Sequence, residues 1–435
     1  MTNSLELTVR EPDEAAELVE LTFDELAGLF DGLREFHQGI AGRVFRWTGP
    51  AAKPVEVVHD GVSGAVYGAL GGATRAGGRT AAAAVAARPG WSGRVVSTTP
   101  AGSALIGVLN GLIGDALERR RSGLHEPMSV RVAGRPVAIE REELKQAFPS
   151  ARPRLVVFLH GLMETEHAWR IGSRETGETY GSRLERDIDA TPVYVRFNTG
   201  RHISSNGTDL AELLEQLVAQ WPVAVREIVL VGHSMGGLVA RSAGHQATEG
   251  GMQWVKLVRH VISIGTPHMG APLAQVVHWA SAGFGMLPET RPFSRFLRRR
   301  SAGIRDLRQG SLVDDDWQGL EPDALRAAVL SEVPLLEGAT HCFVTATVTR
   351  SPRHPLGRLI GDYLVLQPSG SGRSRRRRIP FEEEYGMHVG SANHFALLNH
   401  PEIYEKLREW LSAGSRSLPA GRSRRGTTSR SRSRS

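Results

Sequence analysis

The chain is predicted to be an α/β protein, with a mostly parallel sheet covered by helices on both faces. Three observations predict this. Short β-rich apolar runs recur at 155–159, 193–197, 228–231, 261–264 and 343–348. Helical patterns separate several of them, notably at 209–218. The run at 228–231 passes straight into Gly232-His-Ser-Met-Gly236, which is followed by a helical pattern at 238–248. A run that is apolar throughout is a strand buried on both faces, and alternation with helices at this spacing is the signature of a parallel sheet.

Taken in order, residues 13–47 carry helical periodicity, with Leu18, Leu21, Leu26, Leu29, Phe30 and Leu33 at three- and four-residue steps and Asp13 near the cap. The stretch 54–87 is rich in Ala and Gly. It reads either as closely packed helices or as a surface segment. An amphipathic helix is predicted over 103–120, with Leu105, Ile106, Leu109, Leu112, Ile113 and Leu117 on one stripe and basic residues at its end. Residues 128–139 predict a β-hairpin turning near Gly134. The alternating strands and helices follow. A long insertion at 271–330 mixes apolar residues such as Trp279, Phe284, Phe293 and Phe296 with Arg295, the three arginines at 298–300 and Arg305. It can supply a helical cap with an apolar underside and a polar top. An amphipathic helix at 402–411 closes the ordered part.

Composition narrows the class. Hydrophobic residues make up 40% of 435, and mean hydropathy is -0.22, as in soluble proteins. No stretch approaches about 18 consecutive apolar residues, which argues against a spanning helix. The first residues have no basic and apolar leader, so a cytoplasmic protein is expected. Cys342 is the single cysteine and lies in an apolar run, where it reads as a small buried hydrophobe. The net charge of +7 belongs to the end of the chain. Of 53 Lys and Arg, seven arginines lie in 415–435, leaving 46 against 46 Asp and Glu. That Arg/Ser tail cannot bury enough apolar surface to order itself. Weak attraction to an anionic membrane surface, making the protein peripheral, is its second reading. It has no aromatic residues for base stacking, so no nucleic acid is expected.

The chemistry centres on Ser234. Glycines on either side leave room for a tight turn that lifts a hydroxyl clear of the backbone, beside a helix N-terminus that favours negative charge. Serine is a poor nucleophile at neutral pH and needs a base, which in turn needs an orienting group. Asp362 is the candidate acid, since it follows the strand at 343–348 by a short loop and so falls at the same sheet edge. The acidic run at 314–316 precedes that strand and reads as a solvated loop. His394, just before the final helix, is the candidate base, with His388, His400 and His341 as competitors. Backbone N–H groups must face the developing oxyanion. Met235 is one candidate donor, and the His-Gly pair at 160–161 points to Leu162 as the other, with Met163 as the off-by-one alternative. His160 and His233 read as packing or hydrogen-bonding residues, and no cluster has metal-ligand spacing, so no cofactor or metal is expected.

Five motifs stand in order: Phe-Leu-His-Gly-Leu at 158–162, Gly-His-Ser-Met-Gly-Gly at 232–237, Gly-Thr-Pro-His-Met-Gly at 265–270, Gly-Asp-Tyr-Leu-Val at 361–365 and Asn-His-Phe-Ala-Leu-Leu at 393–398. Over 152–411 the chain resembles the α/β-hydrolase superfamily, in particular the lipase and esterase group similar to the GPI inositol-deacylase. Periodicity gives an N-terminal helical region at 1–127, which resembles no known family, and composition gives a disordered tail at 415–435; the resemblance implies an α/β-hydrolase domain at 128–414 with its cap at about 271–330. It implies Ser234, Asp362 and His394 as a triad cleaving carboxylic esters of apolar acyl groups, with a small-molecule ester or lipid as substrate. An acyltransferase using the same residues and a non-catalytic binding scaffold are the alternatives. The chain departs from the pattern at Tyr363, where relatives carry a small residue, and in the basic stretch 373–378. Acyl-chain length, the alcohol half of the substrate and the oligomeric state do not follow from it.

Overall fold

The computed structural model describes residues 14, 16–24, 27, 34, 53–86, 96–271, 301–319, 330–374 and 377–413. The predicted helical positions Leu26, Leu29, Phe30 and Leu33, the cap aromatics and the tail at 415–435 lie outside these residues. Of the insertion at 271–330, only residues 271, 301–319 and 330 fall within them.

One sheet of eight strands organises the described residues: β1 (Ser129–Val132), β2 (Arg135–Val137), β3 (Arg154–Leu159), β4 (Thr191–Arg196), β5 (Glu227–His233), β6 (Val258–Ile264), β7 (Thr340–Thr347) and β8 (Gly386–Gly390). Their spatial order is β2-β1-β4-β3-β5-β6-β7-β8. The β1–β2 hairpin turns at Ala133-Gly134, both at positive φ, and β1 pairs antiparallel with β4. All pairings from β4 through β8 are parallel.

Leaving one-turn helices unnumbered, the helices are α1 (Lys53–Ala86), α2 (Pro100–Arg119), α3 (Arg141–Ala147), α4 (Tyr180–Ile188), α5 (Ile203–Gln220), α6 (Met235–Glu249), α7 (Ala302–Leu307), α8 (Pro355–Ile360) and α9 (Pro401–Ala413). Alternation along each strand divides the interior into two layers. Leu155, Val157, Leu159, Ile228 and Leu230 pack with Leu210, Leu214 and Leu217 of α5 and Leu238 of α6. Val156, Phe158, Val229 and Val231 turn to the other side, against Leu184 of α4 and Ile403, Leu407 and Trp410 of α9. Each such side chain, buried on a sheet face, contributes about 1.5–3 kcal/mol. These central strands hold the site rigid.

Of the stretch 54–87, residues 54–86 lie in the single long helix α1, with Val57, Val62 and Val66 more than half exposed. The stripe predicted for 103–120 is corrected. Leu105 and Leu112 are exposed, and α2 instead buries Gly107, Asn110, Gly111 and Gly114 along with Ile106 and Leu117. By length and composition α2 could also cross a membrane, but its glycine face docks on loops at the carboxyl edge of the sheet. A Cβ on Gly111 would overlap Met163 Cγ, and one on Gly114 would overlap Asn198 Oδ1. Asn198 in turn donates to the Gly114 carbonyl at 2.9 Å and accepts from the Gly200 N–H at 2.9 Å. Small residues win here because a backbone, and not a side chain, must fit the contact. Gly114→Ala is expected to lower stability by about 1–3 kcal/mol through overpacking, read in denaturant unfolding.

A buried ion network ties the segment after α2 to β4. Arg196 is fully buried and donates to both oxygens of Glu166 at 2.6 and 2.7 Å and to Glu126 at 2.9 Å. Arg131 donates to the other Glu126 oxygen at 2.7 Å. The described part of the insertion is equally anchored. Ser301 Oγ donates to Gly111 O at 2.6 Å, and the Asp306 carboxylate accepts the first N–H of α5, Ile203, at 2.8 Å. The acidic run at 314–316 is not wholly solvated. Asp316 is buried and accepts from Leu312 N at 2.8 Å and Ser331 N at 2.7 Å, closing the loop on itself.

Candidate active site

β5 delivers Ser234 to the carboxyl edge of the sheet. Its backbone sits at φ 52°, ψ −120°, a conformation that non-glycine residues rarely adopt. The turn is held by the Ser234 N–H, which donates to Ile264 O at 2.9 Å. It is also enforced by close approach: a Cβ on Gly232 would overlap the Gly237 nitrogen, and one on Gly236 would overlap Leu159 O. Met235 is the first residue of α6, so its N–H has no intrahelical acceptor.

Asp362 follows β7, separated from it by fourteen residues that include α8, not by the short loop expected. It is 1% exposed. One carboxylate oxygen accepts the N–H groups of Leu364 (2.9 Å) and Val365 (2.7 Å). The other lies 2.8 Å from His394 Nδ1. The His394 N–H donates to the Asp362 carbonyl at 3.0 Å, so backbone and side chain both join the two. This contact places the proton on Nδ1 and leaves Nε2 as the acceptor. Nε2 is buried and has no hydrogen-bond partner among the described residues, Ser234 Oγ included. The His394 ring lies beside Gly265, whose neighbour Ile264 holds the elbow, and 4.7 Å from the His233 ring. Thus the structure joins Asp362 to His394 and sets the pair beside the elbow, while the hydroxyl-to-imidazole hydrogen bond is not made.

The loop after β3 completes the site. Met163 has φ 61° and spends its N–H on Thr199 Oγ1 at 3.1 Å. The off-by-one candidate donor, the Met163 N–H, is thus already taken within the protein. A Cβ on Gly161 would stand 3.0 Å from Ser234 Cβ, so this loop and the elbow are in contact.

Two of the competing histidines have other ring partners. His388 is in β8 between Thr345 Oγ1 and Thr347 Oγ1, each 3.1 Å away. His341 is in β7 with Nε2 3.2 Å from Leu336 O. His400, just before α9, donates its backbone N–H to Tyr180 Oη at 2.8 Å, and its buried ring Nδ1 has no hydrogen-bond partner among the described residues. Burial pushes the Cys342 thiol up to about 12, in keeping with an inert core residue. Tyr363 takes φ 82° and is 61% exposed, so it stands in a left-handed turn at the surface. In the basic stretch, Arg377 donates to His268 O at 2.9 Å and Arg373 pairs with Glu383; residues 375 and 376 lie outside the description. Glu164, whose carboxylate accepts the Gly161 N–H at 2.7 Å and faces His233 Nδ1 at 3.1 Å, was not foreseen. No group of three or more His, Cys, Asp or Glu among the described residues could hold a metal.

A mostly parallel sheet with helices on both faces and a serine at a sharp strand-to-helix turn defines the α/β-hydrolase fold. Residues 151–283 match the family described as PGAP1-like alpha/beta domain. Solved structures with a similar chain path include lipase BlEst2 of Bacillus licheniformis. Its propeptide form is 17% identical with a TM-score of 0.42, over 64% of this chain and 53% of that one. Its mature form is 18% identical with a TM-score of 0.40, over 66% and 99%. Staphylococcus hyicus lipase is 12% identical with a TM-score of 0.34, over 61% and 96%. This chain therefore spans about half of the propeptide-form lipase. A search of curated proteins found no match.

Proposed function

We propose that the protein is a serine-dependent carboxylic ester hydrolase acting on apolar acyl esters, without a cofactor. The observation that carries this reading is the buried Asp362–His394 contact of 2.8 Å beside a serine held at an otherwise rare backbone conformation. On this reading Ser234 attacks the ester carbonyl while His394 Nε2 takes its proton and then delivers it to the leaving alcohol. Asp362 holds the imidazole in the tautomer that can accept that proton. The amides of Leu162 and Met235 stabilise the oxyanion, and water, activated by the same histidine, hydrolyses the acyl-enzyme. The Ser234–His394 hydrogen bond, not made here, is of the kind that tightens when substrate binds.

A series of p-nitrophenyl esters from acetyl to palmitoyl tests the proposal. The expected result is turnover that increases beyond the acetyl ester, with no requirement for metal. Failure to turn over any member would refute it. Added alcohols in the same assay separate hydrolysis from acyl transfer.

A further inference from the structure

Two histidines flank the elbow, and their partners assign them different charge states, one neutral and one positive. Phe197 N–H donates to His160 Nε2 at 3.2 Å, so the proton sits on Nδ1, which donates to Gly161 O at 3.0 Å. With one nitrogen accepting, the ring is neutral, and burial lowers its pKa to about 4. His233, the residue before Ser234, is fully buried and faces two acceptors. Its Nδ1 is 3.1 Å from a Glu164 oxygen and its Nε2 is 3.4 Å from the His394 carbonyl oxygen. A ring that serves two acceptors carries two protons. Burial by itself lowers the His233 pKa, but its acceptors and neighbouring carboxylates, Glu164 first among them, together outweigh it and the net direction is upward. Burial likewise raises that of Glu164, and His233 and the Gly161 N–H reverse it. Asp362 and the His394 carbonyl also favour the charged His233, and His160 adds to the lowering at Glu164.

The contacts of this pair join three separate segments. Glu164 holds Gly161 in the loop that carries Leu162; His233 belongs to the elbow; the His394 carbonyl belongs to the loop that carries the base. Location sets the electrostatic demand. A Cβ on Gly161 would lie 3.0 Å from both Glu164 Oε2 and Ser234 Cβ, so this carboxylate is close to the serine on which, on the hydrolytic reading, the oxyanion would form. A bare negative charge there would oppose that oxyanion, and a bare positive charge would be left buried without a partner. Given the hydrolytic reading above, we propose that Glu164 and His233 are positioning residues. They form a charge-neutral ion pair that braces the oxyanion loop, the elbow and the base loop together.

The pair's stabilising effect has a defined window. His233, with its pKa raised, contributes stability that is fully present below its unfolded value near 6.5 and is lost as pH rises through the higher folded value. Activity that depends on the pair falls along the same alkaline limb.

The test is a double-mutant cycle on p-nitrophenyl butyrate hydrolysis, with folding checked by circular dichroism. Glu164→Gln is expected to lower kcat about tenfold, and His233→Asn about a hundredfold because the carboxylate is left unpaired beside the oxyanion. KM is expected to stay within about twofold in each. The double variant is expected to recover to the level of Glu164→Gln. The alkaline limb of kcat is expected at lower pH in Glu164→Gln and to be absent where His233 is gone. Losses that simply multiply, or an alkaline limb unmoved in Glu164→Gln, would overturn the proposal. If His233→Asn does not fold, the pH profile of Glu164→Gln decides alone. Failure here leaves the hydrolytic reading standing, since that reading is tested separately by Ser234→Ala.

Discussion

Ser234→Ala is expected to lower kcat/KM for ester hydrolysis by about four to six orders of magnitude while the fold persists. The large effect follows because no other hydroxyl on the described elbow can take the place of the nucleophile. The fold persists because the turn does not depend on the side chain. Ser234 is held through its own N–H to Ile264 O, and the glycines at 232 and 236 make the close approaches. Alanine keeps the Cβ, so the rare backbone conformation costs about the same in both proteins. Thermal unfolding is expected to shift by no more than a few degrees, about what a change under 1 kcal/mol produces in a chain of this size. A variant with near-normal turnover would remove Ser234 from the chemistry.

Asp362→Asn is expected to lower kcat by about 10³–10⁴-fold, by way of a tautomer and not a lost contact. The carboxylate uses one oxygen for the N–H groups of Leu364 and Val365 and the other for His394 Nδ1. Asparagine has one acceptor and one donor end. If its oxygen stays on the two backbone N–H groups, its NH₂ meets Nδ1, which must then accept. The ring proton moves to Nε2, and the imidazole can no longer take a proton from Ser234. Reversing the amide would aim its NH₂ at two N–H groups, which is worse. Stability is expected to fall by only about 1 kcal/mol, since the backbone hydrogen bonds survive. NMR of the His394 ring N–H protons would show the switch directly, and an unchanged Nδ1–H signal would contradict it.

Much of this arrangement was legible in the sequence because it is encoded locally. The strands at 155–159 and 228–231 are apolar on both faces, which no other element explains as economically, and Gly232-His-Ser-Met-Gly236 sets its own turn. Asp362 and His394 lie more than a hundred residues from Ser234 in the chain. They were found through the order of motifs, and the structure brings them together at 2.8 Å. What escaped notice depends on tertiary contact. β8, Gly-Met-His-Val-Gly at 386–390, has a glycine at each end and weak β propensity, and becomes a strand only by pairing with β7. The glycines at 107, 111 and 114 repeat at helical spacing, a signal for close docking that the leucines around them masked. Glu164 has no periodic signature at all. Its role comes from His233, 69 residues away.

The central claim is that Ser234 is the activated nucleophile, made so by His394. Covalent labelling with a fluorophosphonate probe, mapped by mass spectrometry in the wild type and in His394→Ala, tests it most directly. The account expects a single adduct on Ser234 in the wild type and labelling slowed at least a hundredfold without the imidazole. An adduct on another residue, or equal labelling of Ser234 in both proteins, would contradict it.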